Sequence, residues 1–233
     1  MDAKAIQVPA AFDGSVDPRV VSLVDPNGAA AEQFRLLHLR LDKTRAQRPL
    51  AVVALTSAVA GEGKTVTAAN LAACAARRGR RVALLDCDLR RPRIAGLFGI
   101  DEGPGIAAVL GGRCRLEDAI RIGPERLTIV PAGAAPDDPG SLFSGTAFRA
   151  AIERLRGTHD EIYVDLPPAL PFADAMAAAN EADGVVVVVR NNETRAELVE
   201  EAVGILAGAQ LIGCVLTGCE EGAAAYRKYY GKR

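Results

Sequence analysis

Gly61, Gly63, Lys64 and Thr65 stand where an apolar run beginning at Val52 gives way to a helical run, Val66 to Arg78. A strand, a glycine-bearing loop and then a helix is the setting of a phosphate-binding loop. In such a loop the backbone N–H groups and the helix N-terminus make a concave anion site. The spacing assigns Ala60, Gly61, Glu62, Gly63, Lys64 and Thr65 to the phosphates. Lys64 would reach the β- and γ-phosphates, and the Thr65 hydroxyl would bind Mg²⁺. The usual pattern opens on glycine, and this chain has Ala58 there. Gly61 and Gly63 remain where the chain must pass closest to the phosphates.

Carboxylates stand at the ends of two further apolar runs. RVALLDCDLRRP ends its run in Asp86 and Asp88, and EIYVDLPP ends in Asp165 before Pro167 and Pro168. Strand alternation places Asp86 and Asp88 on one side. Like charges that close need a cation beside them, and a metal-bound nucleotide supplies it. Asp165 suits the Walker B role of holding Mg²⁺ or its water shell. Each aspartate alone also reads as a cap on the following helix. Three of them with a phosphate loop in one sheet read as a nucleotide site.

The elements must bring these stretches to one edge. Strands are predicted at Leu50–Thr56, Arg81–Asp86, Leu127–Val130, Glu161–Asp165, Gly184–Val189 and Leu211–Leu216. Helices are predicted at Asn27–Ala46, Lys64–Arg78, Gly145–Arg156, Phe172–Asn180 and Thr194–Leu206. Phe34, Leu37 and Leu41 share a face of the first, Phe148, Ile152 and Leu155 of the third, and Leu198, Val203 and Leu206 roughly of the last. Alternating strands and helices with near-continuous apolar strands specify an α/β, doubly wound, mostly parallel sheet. Its ligands sit beyond the carboxyl ends of the strands, where the aspartates are. The chain divides into an N-terminal arm and helix (1–46), a nucleotide-binding domain (47–219) and a tail (220–233) that reads as mobile.

The bulk properties agree. The 233 residues suit one α/β domain, and scarce aromatics leave the core to aliphatic side chains. A net charge of −1 and a pI near 6.2 give no sign of a nucleic-acid partner. The cysteines lack CxxC spacing; Cys74, Cys87 and Cys214 read as buried thiols of a reducing compartment. The N-terminus carries no basic-then-apolar signal and no apolar run is long enough to span a membrane, so the expectation is a soluble, intracellular protein. The run Ala76–Arg81 reads as a solvated helix end. The run Leu89–Arg93, beside Asp88, is open between that and a phosphate or partner contact. His159 reads as a surface loop residue.

LLDCDLRRP after AGEGKT, followed by YVDLPP and a tyrosine-bearing tail, resembles the bacterial tyrosine kinases, P-loop proteins of the MinD/ParA-like type. More narrowly, it is similar to the separate cytoplasmic kinases of capsule and exopolysaccharide synthesis, and the resemblance covers nearly the whole chain. The Asp-x-Asp motif, here Asp86–Asp88, separates that family from most P-loop ATPases. The resemblance implies an ATP-dependent tyrosine autokinase with Mg²⁺. Its catalytic set would be Lys64, Asp86, Asp88 and Asp165, with Asp86 the base at the tyrosine hydroxyl and Thr65, Asp88 and Asp165 serving the metal. Tyr226, Tyr229 and Tyr230 would be the phosphoacceptors, and Tyr163 a core residue. The implied partners are the cytoplasmic tail of a membrane-embedded polysaccharide co-polymerase, further copies of the chain in a ring, and an opposing tyrosine phosphatase. The partner would recruit the chain to the inner face of the plasma membrane.

The chain departs from the family pattern at several places. Ala60 replaces a loop proline, Leu166 replaces a hydroxyl residue after Asp165, and Thr217 stands where asparagine is common. The arm helix keeps Glu32 and Arg35 of E-x-x-R-x-x-R but has His38 last, which implies a weaker, pH-sensitive ring contact. Ala60, Leu166 and His38 favour a second reading: a nucleotide-dependent assembly switch with little kinase activity, docked on a membrane partner.

Overall fold

The computed structural model describes residues 12–143, 146–170, 172 and 174–219. The chain opens with α1 (Val21–Val24) and α2 (Ala29–Arg45), then β1 (Val52–Ser57), α3 (Lys64–Arg77) and β2 (Val82–Asp86). Short helices α4 (Ile94–Phe98), α5 (Gly105–Leu110) and α6 (Leu116–Ala119) lead to β3 (Arg121–Ile122), a 3₁₀ turn (Pro124–Arg126) and β4 (Thr128–Val130). Then come α7 (Pro139–Phe143), α8 (Thr146–Arg156), β5 (Glu161–Asp165), α9 (Asp174–Ala179), β6 (Gly184–Arg190), α10 (Ala196–Ile205) and β7 (Leu211–Thr217).

The strands form one sheet in the order β3-β4-β2-β5-β1-β6-β7, parallel except for the β3–β4 pair. The inner strands β1, β2 and β5 are buried along their whole length. Side chains of these strands and of β6 alternate between two cores. Val53, Leu55, Leu84, Tyr163 and Val188 face the layer that holds α3. Ala54, Leu85, Val164 and Val187 face the layer with α5 and α8. This is the period-2 pattern of a sheet covered on both faces. Six of the fourteen residues of α3 are alanine, and small side chains let it lie close on the sheet; Ala68, Ala69, Ala72 and Ala75 are fully buried.

Several expectations are corrected. Cys214 is exposed, because β7 is an edge strand with little covering it. Val203 is also exposed; α10 turns Leu198, Val199, Ala202 and Leu206 inward instead. His159 is half-buried, with Nε2 2.9 Å from the Thr128 hydroxyl. His38 is fully buried on the inner face of α2, facing Glu161 at the start of β5. It therefore cannot reach a neighbouring subunit, and the pH-sensitive ring contact assigned to it falls. Phe148, Ile152 and Leu155 do share the buried face of α8, and Tyr163 is a core residue.

Candidate active site at the strand ends

The sheet order sets β5 between β1 and β2, so the ends of all three strands adjoin. Asp165 lies in register with Leu55 on one side and Asp86 on the other. The Cys87 N–H donates to the Asp165 carbonyl at 2.8 Å and extends this pairing beyond β2. After Ser57 the chain turns through Gly61 and Gly63, both at φ near 92°, where a side chain would be strained. The helix α3 then starts at Lys64.

Lys64 is the hub. Its Nζ lies 2.7 Å from Asp88 Oδ2, 3.5 Å from Asp165 Oδ1 and 3.4 Å from Thr65 Oγ1. Burial pulls its pKa down, but the facing Asp165 and Asp88 outweigh this and leave it above the ordinary lysine value. Asp165 is fully buried, and burial raises its carboxyl against the pull of Lys64 and Thr65. Its Oδ2 is buried with no hydrogen-bond partner among the described residues. An orphaned carboxylate oxygen beside a second carboxylate and a hydroxyl is a hard-oxygen donor set, which fits Mg²⁺. The structure thus brings together Lys64, Thr65, Asp88 and Asp165.

Asp86 joins them in a different way. The strand ends at Asp86, so alternation does not extend to Asp88; both carboxylates instead organise the following loop. Asp86 Oδ2 accepts the N–H groups of Arg93 and Ile94 at 2.9 Å, and Oδ1 that of Asp88 at 3.2 Å. Asp88 Oδ1 accepts the Arg91 N–H at 3.1 Å. The capping reading and the site reading therefore hold together for this pair. Burial, reinforced by the neighbouring Asp165, pushes the Asp86 carboxyl up to about 7. The arginine run Leu89–Arg93 wraps over these carboxylates through its backbone, and Arg90 stacks on the Phe172 ring at 4.1 Å.

Sequence reading placed Glu62 in the loop without seeing what its side chain does. Glu62 is buried and accepts the Val59 N–H at 2.8 Å, the Arg190 N–H at 3.3 Å and the Thr194 hydroxyl. The Thr217 hydroxyl donates to the Glu62 carbonyl at 2.7 Å. The loop is thereby pinned to the ends of β6 and β7. Leu166 and Ala58 are buried in the apolar core, and the Ala60 position is exposed in the loop. Tyr226, Tyr229 and Tyr230 lie outside the described residues.

Comparison with known proteins agrees with this geometry. The CobQ/CobB/MinD/ParA nucleotide binding domain family matches residues 53–225. The chain is 31% identical to the tyrosine-protein kinase YwqD of Bacillus subtilis (strain 168), over 92% of each. It belongs to the bacterial tyrosine kinases. It is also 31% identical to the succinoglycan biosynthesis transport protein ExoP of Rhizobium meliloti (strain 1021), over 89% of this chain but 28% of that one. The kinase domain of the Escherichia coli tyrosine kinase ETK superposes with a TM-score of 0.83 at 26% identity, over 85% of this chain and 79% of that one. This tyrosine kinase of P-loop type carries its loop lysine, Lys64, beside Asp86, Asp88 and Asp165 at adjoining strand ends.

Proposed function

We propose that this chain is an ATP-dependent protein-tyrosine autokinase that regulates capsular or exopolysaccharide synthesis and export. The observation that carries the reading is the convergence of Lys64, Asp86, Asp88 and Asp165 at adjoining strand ends. Phosphoryl transfer asks for positioning, charge neutralisation and a group to take the acceptor's proton. The loop 60–65 cradles the phosphates, and Lys64 is placed to hold the β- and γ-phosphates. Thr65, Asp88 and Asp165 would hold Mg²⁺, whose charge offsets that of the phosphates. Asp86 takes the proton from the tyrosine hydroxyl; a carboxylate whose pKa lies near 7 suits general-base work at neutral pH. Its oxygens already accept three backbone N–H groups, but each has two lone pairs and capacity remains.

The acceptors are Tyr226, Tyr229 and Tyr230, reached from a second copy of the chain. Each phosphate adds about −1.5 to −2 charge, and several together would reverse the sign of a tail that carries Arg227, Lys228, Lys232 and Arg233 against Glu220 and Glu221. Mass spectrometry after reaction with Mg·ATP and an activator fragment is expected to find phosphotyrosine there. Wild-type levels of phosphotyrosine in the triple Tyr→Phe variant would remove the tail from the reading. Lys64→Ala is expected to abolish both nucleotide binding by calorimetry and phosphorylation.

A membrane-embedded polysaccharide co-polymerase activates the chain and recruits it to the inner membrane face. No helix among the described residues is long and apolar enough to cross a membrane. In ExoP, a transport protein, the matching segment is 28% of the whole. The expected result is weak activity alone and a rise when a co-polymerase tail is added. Full activity unchanged by any such tail counts against it. The alternative is an assembly switch with weak or no kinase activity, favoured by Ala60, Leu166 and His38. Leu166 and His38 are both fully buried, so neither presents its side chain to a second subunit.

A further inference from the structure

Arg35, Arg77 and Arg78 converge on a cleft of about 140 Å³ between α2 and the C-terminal end of α3. Ser22 of α1 and Cys74 also line it. It lies at the far end of α3 from Lys64, on the other side of a fourteen-residue helix about 20 Å long. The nucleotide loop therefore does not account for it.

Ser22 supplies the decisive observation. The residue is 4% exposed, and its Oγ is buried with no hydrogen-bond partner among the described residues. Its position is fixed, because its N–H donates to Asn70 Oδ1 at 2.9 Å. A buried hydroxyl without a partner is rare in a folded protein and calls for a ligand.

The charges around it say which ligand. Arg35 is paired with Glu32 and also donates to the Pro26 carbonyl at 2.6 Å. Arg77 reaches Glu125 at 3.3 Å. Among the described residues Arg78 has no ion pair, so three guanidinium groups face two carboxylates there. The Cys74 thiol is pushed up by burial and brings no competing anion. The C-terminus of α3 is the negative pole of its dipole and alone would repel an anion; the arginines reverse that sign. Guanidinium forks and a hydroxyl are the groups that bind tetrahedral oxyanions. The cleft is too small for a nucleotide, which needs a pocket of roughly 300 Å³ or more.

We propose that this cleft binds a phosphate group, as free phosphate or as a phosphomonoester. Bound there, it would bridge α1, α2 and the end of α3, and so tie the N-terminal helices to the helix that begins at the nucleotide loop.

The test is calorimetric titration of the full chain, held in saturating Mg·ADP, with inorganic phosphate and separately with O-phosphotyrosine. Saturable binding is expected. Arg78→Gln should weaken it about tenfold and Ser22→Ala about threefold, the loss of a charged and a neutral hydrogen bond respectively. Neither variant should change Mg·ADP affinity. Arg78 is exposed, so its replacement leaves the core intact and keeps the test valid should Ser22→Ala fail to fold. Tighter binding of phosphotyrosine supports the site with a phosphorylated protein as source, and tighter binding of phosphate supports it with the free ion. Absence of saturable binding in wild type, or affinities untouched by Arg78→Gln, would overturn the proposal.

Discussion

His38 Nε2 lies 3.1 Å from Glu161 Oε2, deep between α2 and the start of β5. Glu161 also receives Arg45 at 2.8 Å and the Tyr163 hydroxyl at 2.7 Å. On its other ring nitrogen His38 faces Asp42 at 3.5 Å. Burial alone would raise the Glu161 carboxyl, but these partners bring it below its ordinary value. A position that reads as an intersubunit contact is instead part of the joint between the N-terminal helices and the sheet.

Two substitutions separate these roles. His38→Ala removes a partner from a buried carboxylate and is expected to cost about 1–3 kcal/mol. His38→Arg restores the family pattern but forces a longer side chain into a filled space, at a similar cost. Urea unfolding reads the stability and sedimentation reads association. Stronger self-association in His38→Arg, with stability unchanged, would contradict the buried role.

The site was legible because its signals are local. Gly61, Gly63, Lys64 and Thr65 are contiguous, and Asp86, Asp88 and Asp165 each close an apolar run. The inner strands were legible for the same reason: a short β-branched run such as Val185–Val189 suits a strand covered on both faces. The short helices α4, α5 and α6 were not, since four to six residues carry too little periodicity to register. Edge and centre look alike in sequence, which is why Cys214 was misplaced. His38 and Glu62 were opaque because their partners are 123 and 128 to 132 residues away.

Glu62 is expected to govern nucleotide affinity through the shape of the loop. Glu62→Gln keeps the size but weakens the acceptor for the Val59 and Arg190 N–H groups, while Glu62→Ala takes it away from both and leaves Arg190 only the Thr194 hydroxyl, at 3.3 Å. Nucleotide affinity should fall modestly in the first and about tenfold or more in the second, the worth of a charged hydrogen bond. Thr194→Ala, on the far side of the same contact, should show a weaker loss. Calorimetry with Mg·ADP measures all three. Equal affinity in Glu62→Ala and wild type would mean the loop holds its shape without this side chain.

Leu166 belongs to the packing and not to the chemistry. It is fully buried in the core between the sheet and α5, α7 and α8. Leu166→Thr restores a family hydroxyl but places it in apolar surroundings, at about 1–3 kcal/mol. Thermal melting should fall, and the phosphorylation rate per folded molecule should not rise. A rate increase would show that the hydroxyl serves the site after all.

His159 supplies a stability signal with a defined direction in pH. Burial, chiefly, depresses its pKa below the ordinary value of 6.5, partly opposed by the Leu155 carbonyl. It faces Thr128 and Thr158, with Arg81 and Asp160 nearby. The unfolded chain takes up the proton first, so this contribution is fully present above pH 6.5 and is lost as the pH falls through the lower, folded value. Asp86 acts in the opposite sense. Its folded carboxyl, raised to about 7 from 3.8, gains relative stability as the pH falls below about 7. The two overlap, so the wild-type curve alone does not isolate either. The difference between wild type and His159→Gln does, because glutamine keeps polar atoms near Thr128 but does not titrate. Wild type is expected to exceed the variant by a constant margin at neutral pH and above, and the margin should shrink as the pH falls below about 6.5. Urea unfolding across that range measures it. A margin that grows on acidification would mean that the imidazolium is the stabilised form and that the burial argument for His159 is wrong.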